Sequence, residues 1–172
     1  LKQAEATIDE MHRLLKEAMG SVRAVMSDLR PPLLDDYGLF AALESHARQF
    51  EARTGLHVAV NGEELAPRLS AEVEMALFRI AQEALTNVAK HAAASHARIS
   101  VTRNAGRAVL LVEDDGHGVG TRRAANDPGP GGWGMAVMRE RAEAVGGMMR
   151  IEHPGRGTRI VVEVIHDSHH SA

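Results

Sequence analysis

Apolar residues open the chain in steps of four and three, at Ala4, Ile8, Met11, Leu15, Ala18, Val22, Val25 and Leu29. A period of ~3.5 residues predicts a helix seated in a coiled coil or bundle, with a seam that needs partner helices. Pro31 and Pro32 end this helix at Arg30, because proline disfavours the α conformation of the residue before it and brings no backbone donor. Residues 31–38 read as a linker. Leu39, Leu43, Ala47 and Phe50 mark one face of a second helix, from Leu39 to about Thr54, with Gly55 as its stop. Leu56 to Val60 reads as a strand and Asn61-Gly62 as a turn. Ser70 is the N-cap of a third helix reaching about Ala93, whose buried stripe is Val73, Leu77, Ile80, Ala84, Leu85 and Val88.

Alternation then replaces helical spacing. Arg98 to Arg103 and Ala108 to Glu113 flank Asn104-Ala105-Gly106 and predict a hairpin. Residues 115–134, with seven glycines and two prolines, read as a long loop. A helix from about Met135 to Val145 ends at Gly146-Gly147. The strands Met149 to His153 and Thr158 to Ile165 are joined by the turn Pro154-Gly155-Arg156-Gly157, and residues 167–172 form a polar tail. This order is not the strict alternation of a parallel doubly wound sheet. It predicts an α+β fold: a mixed, mostly antiparallel sheet with helices on one face.

Composition narrows the function classes. The 172 residues carry a formal net charge of −3, with basic and acidic side chains interleaved, so no field favours nucleic acid or an anionic membrane. Cysteine is absent, which excludes disulfides and thiolate metal sites and makes the cytoplasm the default expectation. No apolar run approaches the ~20 residues of a membrane-spanning helix. The chain opens at Leu1 inside a helical pattern, so it reads as a piece of something longer.

Four clusters carry candidate chemistry. On the third helix Glu83, Asn87 and His91 lie four apart with Lys90 beside them, a carboxylate, an amide and cationic donors suited to one metal and a polyphosphate. Magnesium takes few protein ligands, so the Asn87 amide oxygen with phosphate oxygens is adequate. An ordinary solvated helix face explains the same spacing and, taken alone, explains it better. Asp114-Asp115-Gly116-His117-Gly118-Val119-Gly120 places an acceptor carboxylate at the mouth of an apolar strand, where it suits an exocyclic amine; a ligand-free glycine turn is the equal alternative. Gly129-Pro130-Gly131-Gly132-Trp133-Gly134 precedes a helix, whose free amides suit phosphate, and a flexible linker is its alternative. Gly155-Arg156-Gly157-Thr158 is equally a tight hairpin turn. The remaining histidines, His169 and His170 among them, lack a metal-site spacing.

The four occur in one order, and together they resemble the ATP-binding GHKL superfamily of histidine kinases, DNA gyrase, MutL and a heat-shock chaperone. Glu83-Ala-Leu-Thr-Asn87-Val-Ala-Lys90-His91-Ala looks like the asparagine box, Asp114-Asp-Gly116-His-Gly118 the D-x-G-x-G box, and Gly132-Trp-Gly134-Met-Ala-Val-Met-Arg139-Glu140-Arg141 the glycine box with its helix. Gly155-Arg-Gly157-Thr158 is similar to the last box. Leu29-Arg-Pro-Pro-Leu-Leu-Asp35-Asp-Tyr-Gly38-Leu and Met138-Arg-Glu-Arg141 resemble the nitrate-sensor and lipid-fluidity-sensor histidine kinases.

The resemblance implies a two-layer α/β sandwich of the GHKL (Bergerat) type, preceded by a long bundle helix. It implies a dimerisation helix at 1–30, a linker at 31–38, an ATP-binding catalytic domain at 39–166 and a tail at 167–172. By the same resemblance, Glu83 is a general base or an orienter. Asn87 holds Mg2+, and Lys90 and His91 stand beside the nucleotide. Asp114, Gly116 and Gly118 meet adenine, Gly132, Gly134 and Met135 the phosphate side, and Thr158 supports the adenine pocket. Residues 115–134 are the expected lid. Met135 stands where leucine is frequent, a volume-conserving change.

The implied function is a protein-histidine kinase module. It transfers the ATP γ-phosphoryl to a histidine outside this chain and thence to a response-regulator receiver domain, in a parent that dimerises through its N-terminal helix. His12 is a poor acceptor, since Arg13 follows it where the subgroup has an acidic residue. An ATP-hydrolysing conformational clamp, or a nucleotide-binding module without kinase activity, are the alternatives.

Overall fold

The computed structural model describes residues 31–118 and 132–165, with side chains in the second stretch described from Gly134 onward. The expected bundle helix over residues 1–30, most of the expected lid and the tail lie outside the described residues. Helices are α1 (Pro32–Thr54), α2 (Ala71–Asn87) and α3 (Gly132–Ala144); strands are β1 (His57–Gly62), β2 (His96–Asn104), β3 (Arg107–Asp114), β4 (Met148–Glu152) and β5 (Arg159–Ile165). Among these residues no helix is long and apolar enough to cross a membrane.

The five strands form one sheet in the order β1-β2-β3-β5-β4. β1 and β2 are parallel, which requires a crossover, and α2 supplies it. The other three pairings are antiparallel. Alternation sends Ile99, Val101, Leu110, Val112, Ile160, Val162 and Val164 to one face, where they share a single core with Leu39, Leu43 and Phe50 of α1 and Leu77, Ile80 and Leu85 of α2. The opposite face carries a lattice of cross-strand ion pairs: Arg98–Glu113 at 2.9 Å, Arg159–Glu113 at 3.0 Å and Arg150–Glu163 at 2.6 Å. Each such exposed pair contributes about 0–1 kcal/mol. Val161, between Arg159 and Glu163 on that face, is buried.

Three local features depart from the sequence pattern. The expected linker is helical from Pro32, a tolerated residue in a first helical turn, and α1 is broken at Gly38 (φ 84°, ψ −176°) before it resumes. Glu64 explains the restart: its carboxylate accepts from the Phe40 backbone N–H at 2.9 Å, and a Cβ at Gly38 would lie 2.4 Å from its carboxyl carbon. β1 runs through the expected turn to Gly62, because Asn61 and Gly62 stay paired with Ser100 and Val101. α2 keeps its α form only to Asn87, and Val88–Ala92 is a π-helical turn closed by Ala93 at φ 48°.

One polar side chain is locked beneath α1. Glu74 is 1% exposed and receives two bonds from Arg68, at 2.7 and 2.9 Å. Arg68 also donates to the carbonyls of Leu34 and Asp35, tying the β1–α2 connection to the start of α1.

Candidate nucleotide-binding site

The first group of site residues gathers where α2 meets α3. Glu83 and Asn87 are half-buried in the last turns of α2. Gly134, in the first turn of α3, packs directly onto them: a Cβ there would stand 2.4 Å from Glu83 Oε1 and 3.3 Å from Asn87 Nδ2. Glycine therefore permits the approach, and it brings the N-terminus of α3 to the carboxylate and the amide. α3 starts at Gly132 rather than Met135, so the first-turn amides, which lack intrahelical acceptors, belong to Gly132, Gly134 and their neighbours. Met135 packs against the core and holds this end of α3 down, while Met138 and Ala142 are fully buried.

Asn87 Nδ2 is buried without a hydrogen-bond partner. An orphaned polar group costs about 1–3 kcal/mol, which a ligand atom at that point would remove. A half-turn of the amide puts Oδ1 in the same place, a hard oxygen of the kind magnesium prefers. One amide oxygen, free helix amides and room for phosphate oxygens fit that ion.

The second group sits where β3 ends. Asp114 Oδ1 accepts from the Gly116 N–H at 2.8 Å and Oδ2 from the Thr158 N–H at 3.2 Å, while the Asp114 N–H donates to the Thr158 carbonyl at 3.1 Å. Thr158 is buried. Gly157 (φ 76°) makes the approach possible, since a Cβ there would fall 1.8 Å from the Asp114 carbonyl oxygen. Gly118 packs in turn against the Gly157 carbonyl. A carboxylate has about four acceptor sites, so Asp114 keeps capacity for a ligand amine after these two bonds.

The π turn joins the two groups. Its last carbonyl, on Ala92, accepts from the His117 N–H at 3.0 Å, and Gly116 packs on the same residue. Asn87 and Ala92 are five residues apart, roughly 7 Å of helix. The widened turn changes the angular step after Asn87, so the four-residue spacing no longer keeps His91 on the face of Glu83 and Asn87. Lys90 and His91 are exposed on this turn. Periodicity could not signal it, because a π turn leaves the order of apolar and polar residues unchanged.

Asp115 is the residue to which the sequence assigned no role of its own. Its Oδ1 accepts from the N–H groups of His96 and Ser95 at 2.9 and 2.8 Å, and these bonds hold its carboxyl below the usual range. Arg156 donates to the Asp115 carbonyl at 2.7 Å. Its one legible signal was its place beside Asp114 at a strand end.

The chain is similar to known proteins over most of its length. Residues 72–168 match the family described as histidine kinase-, DNA gyrase B-, and HSP90-like ATPase. The chain is 31% identical over 165 residues to the signal transduction histidine-protein kinase/phosphatase DegS of Brevibacillus brevis, covering 95% of this chain and 42% of that protein. It is 37% identical over 152 residues to the oxygen sensor histidine kinase NreB of Staphylococcus carnosus, covering 88% and 43%. It thus spans less than half the length of these curated relatives. A solved histidine kinase domain from the blue-light activated histidine kinase of Erythrobacter litoralis aligns with a TM-score of 0.62 at 21% identity, covering 73% of this chain and 64% of that one, and shares its fold. The chain belongs to the histidine kinase-, DNA gyrase B- and HSP90-like ATPase family, a nucleotide-using family, and within it is a domain of the sensor histidine kinase kind.

Proposed function

We propose that this domain binds Mg-ATP and passes the γ-phosphoryl group to a histidine imidazole on a helical hairpin outside this chain, the phosphoryl then moving to an aspartate of a response-regulator receiver domain. The observation that carries the reading is the buried, partnerless Asn87 amide facing Glu83, Gly134 and the amide end of α3. Asp114 takes the adenine amine, with Gly116, Gly118 and Thr158 around it. Lys90 and His91, exposed on the π turn between the two groups, stand beside the nucleotide. Gly132, Gly134 and the first turn of α3 receive phosphate oxygens. Magnesium on the Asn87 amide oxygen supplies charge neutralisation across the phosphates when bound.

Phosphoryl transfer asks mainly for alignment and charge stabilisation, and those are what these residues offer. A neutral imidazole attacks through its unprotonated nitrogen, so the other ring nitrogen carries a proton that needs an acceptor. Glu83 fills that place as orienter. Residues 1–30 carry the seam of a dimerising helix in the parent, 31–38 connect it, and 39–166 form the catalytic unit in a cytoplasmic setting.

The test is a separately made phosphoacceptor hairpin, incubated with this chain and γ-labelled ATP. Acid-labile label on the hairpin is expected, and loss of that label in Asn87→Asp together with loss of Mg-ATP binding. Intact ATP binding without transfer would remove the kinase reading; phosphate release without any acceptor protein would favour the ATPase clamp.

A further inference from the structure

The break in α1 at Gly38 leaves two helix ends at one point, and a single stretch of chain, residues 63–70 between β1 and α2, serves both. Non-helical torsions at Gly38 remove the hydrogen bonds that would span it, from the Leu39 N–H to the Asp35 carbonyl and from the Phe40 N–H to the Asp36 carbonyl. Arg68 replaces the first donor: its Nη1 donates to the Asp35 carbonyl at 2.8 Å and its Nη2 to the Leu34 carbonyl. Glu64 replaces the second acceptor, its Oε2 accepting from the Phe40 N–H at 2.9 Å. The charges match the helix dipoles, with a cation at the C-terminal end of residues 33–37 and an anion at the N-terminal end of the stretch that follows.

The same guanidinium is fastened to α2. Its Nε and Nη2 donate to the two oxygens of Glu74 at 2.7 and 2.9 Å, and Glu74 is 1% exposed in the first turn of that helix. Four of the five donors of a planar guanidinium are thus shared between α1 and α2, which holds residues 33–37 and the first turn of α2 as one piece. Leu34, fully buried, belongs to the same core as Leu65 and Leu69 of the connection. From there α2 runs as one α-helix to Asn87. Glu83 and Asn87 stand roughly 14 and 20 Å from Glu74 along its axis.

Gly38 makes this arrangement one of two. Glycine adopts helical torsions as readily as φ 84°, so the chain has an alternative in which α1 is continuous and the two spanning bonds are made within the helix. One N–H cannot fully serve both the Asp36 carbonyl and Glu64, so the two forms are alternatives rather than a continuum. The Glu64 carboxyl occupies the space beside Gly38: a Cβ there would lie 2.4 Å from its carboxyl carbon, and any side chain at this position expels it.

We infer that Glu64, Arg68 and Glu74 form a latch across the break at Gly38, which carries a displacement of residues 33–37 into α2 and so to Glu83 and Asn87. As regulation of that site, the latch rests on the proposed nucleotide reading. Latched, residues 33–37 and α2 move together. Unlatched, α1 is continuous and α2 is released from its first turns.

The experiment is a cycle on the full chain, read by the side-chain amide NMR resonances of Asn87 and by Mg-ATP affinity. Gly38→Ala drives out the Glu64 carboxylate and favours the continuous helix. It should move the Asn87 resonances and change Mg-ATP affinity about two- to thirtyfold, the range for coupling through packed elements. The second background is Arg68→Met with Glu74→Leu, which severs the latch and keeps the core filled. In it the amides of residues 34–37 should exchange faster with solvent, while those of Leu77, Ile80 and Leu85 keep their rates. Adding Gly38→Ala there should leave the Asn87 resonances and the affinity where that background had them. Where Gly38→Ala does not fold, Glu64→Ala, at an exposed side chain, takes its place in the cycle. An equal effect of the substitution in both backgrounds, or none in the unsubstituted chain, would overturn the latch. An unsubstituted chain that does not bind Mg-ATP would instead overturn the nucleotide reading, with the Asn87 resonances still reporting the latch.

Discussion

Replacing Gly134 with alanine inserts one methyl between α3 and the end of α2. That carbon would lie 2.4 Å from Glu83 Oε1, where ordinary contact begins at 3.4 Å, so the carboxylate must retreat by about 1 Å. Gly134 does not occupy the left-handed region, and alanine in a helix is better by roughly 0.5–1 kcal/mol than glycine, so the fold tolerates the change. A catalytic group displaced by about 1 Å forfeits roughly a hundredfold in rate. Gly134→Ala in the intact kinase should therefore lower acid-labile phosphoryl incorporation about a hundredfold, with a melting temperature close to the parent's. The cause can be isolated with a cycle. If the methyl acts through Glu83, it adds little once Glu83→Ala has removed the carboxylate. An equal penalty in both backgrounds, or a variant keeping more than a third of parental activity, would refute the reasoning.

Three other outcomes follow from the structure. Arg68→Ala strands Glu74, which is 1% exposed, and should cost about 3 kcal/mol in urea denaturation; that is the low end for a broken buried pair because Arg68 is 40% exposed. Arg68→Met with Glu74→Leu should recover most of the loss, and a loss under about 1 kcal/mol for Arg68→Ala would show that water already reaches the carboxylate. Ala105 holds φ 46° beside Gly106 in the two-residue β2–β3 turn, so Ala105→Asn should raise stability by about 1 kcal/mol; an unchanged urea midpoint would contradict this. Burial, followed by repulsion from Arg53 and Arg79, lowers the pKa of His46 below its ordinary 6.5. The unfolded chain then binds a proton that the folded chain refuses, so this residue makes stability fall as pH drops below about 6.5 until its folded pKa is passed. His46→Gln should flatten that part of the pH–stability curve, and an identical slope in both proteins would sink the assignment.

The elements legible in the sequence were those in which burial and periodicity coincide. The stripe Leu77, Ile80, Ala84, Leu85 and the alternation through Ile99, Val101, Leu110 and Val112 are core positions, and they announce themselves because each face has a single environment. The hairpins were legible through Asn104-Ala105-Gly106 and Pro154 to Gly157, where turn chemistry is local. What escaped depends on partners far along the chain. α1 restarts after Gly38 where Glu64, 24 residues beyond Phe40, accepts from the Phe40 N–H. β1 continues through Asn61-Gly62 because β2 supplies partners for it. Glu74, in the first turn of α2, is buried against Arg68, whose guanidinium also reaches two carbonyls of α1. In the site, Asn87, Asp114, Gly134 and Thr158 could be found as ordered motifs. Their convergence rests on the close approaches at Gly134 and Gly157, which a sequence records only as glycine.

The two ends of the proposed pocket are built differently. At the base end the two carboxylates of Asp114 and Asp115 are already bonded to backbone, Asp114 across to Thr158 just before β5 and Asp115 back to the start of β2. Consecutive residues of a strand project to opposite sides, so a single Asp-Asp step fastens the end of β3 from both directions. A ligand arriving there meets a surface whose ordering is complete, and its binding energy is not spent on arranging that surface. At the phosphate end the Asn87 amide has no partner, and α3 reaches it only through the gap at Gly134. Interactions there are completed by the ligand. It follows that substitutions around Asp114 should register chiefly in nucleotide affinity. Those around Gly134 should register chiefly in the rate of transfer, because an interaction completed only when the reacting group is in place is the kind that lowers a barrier.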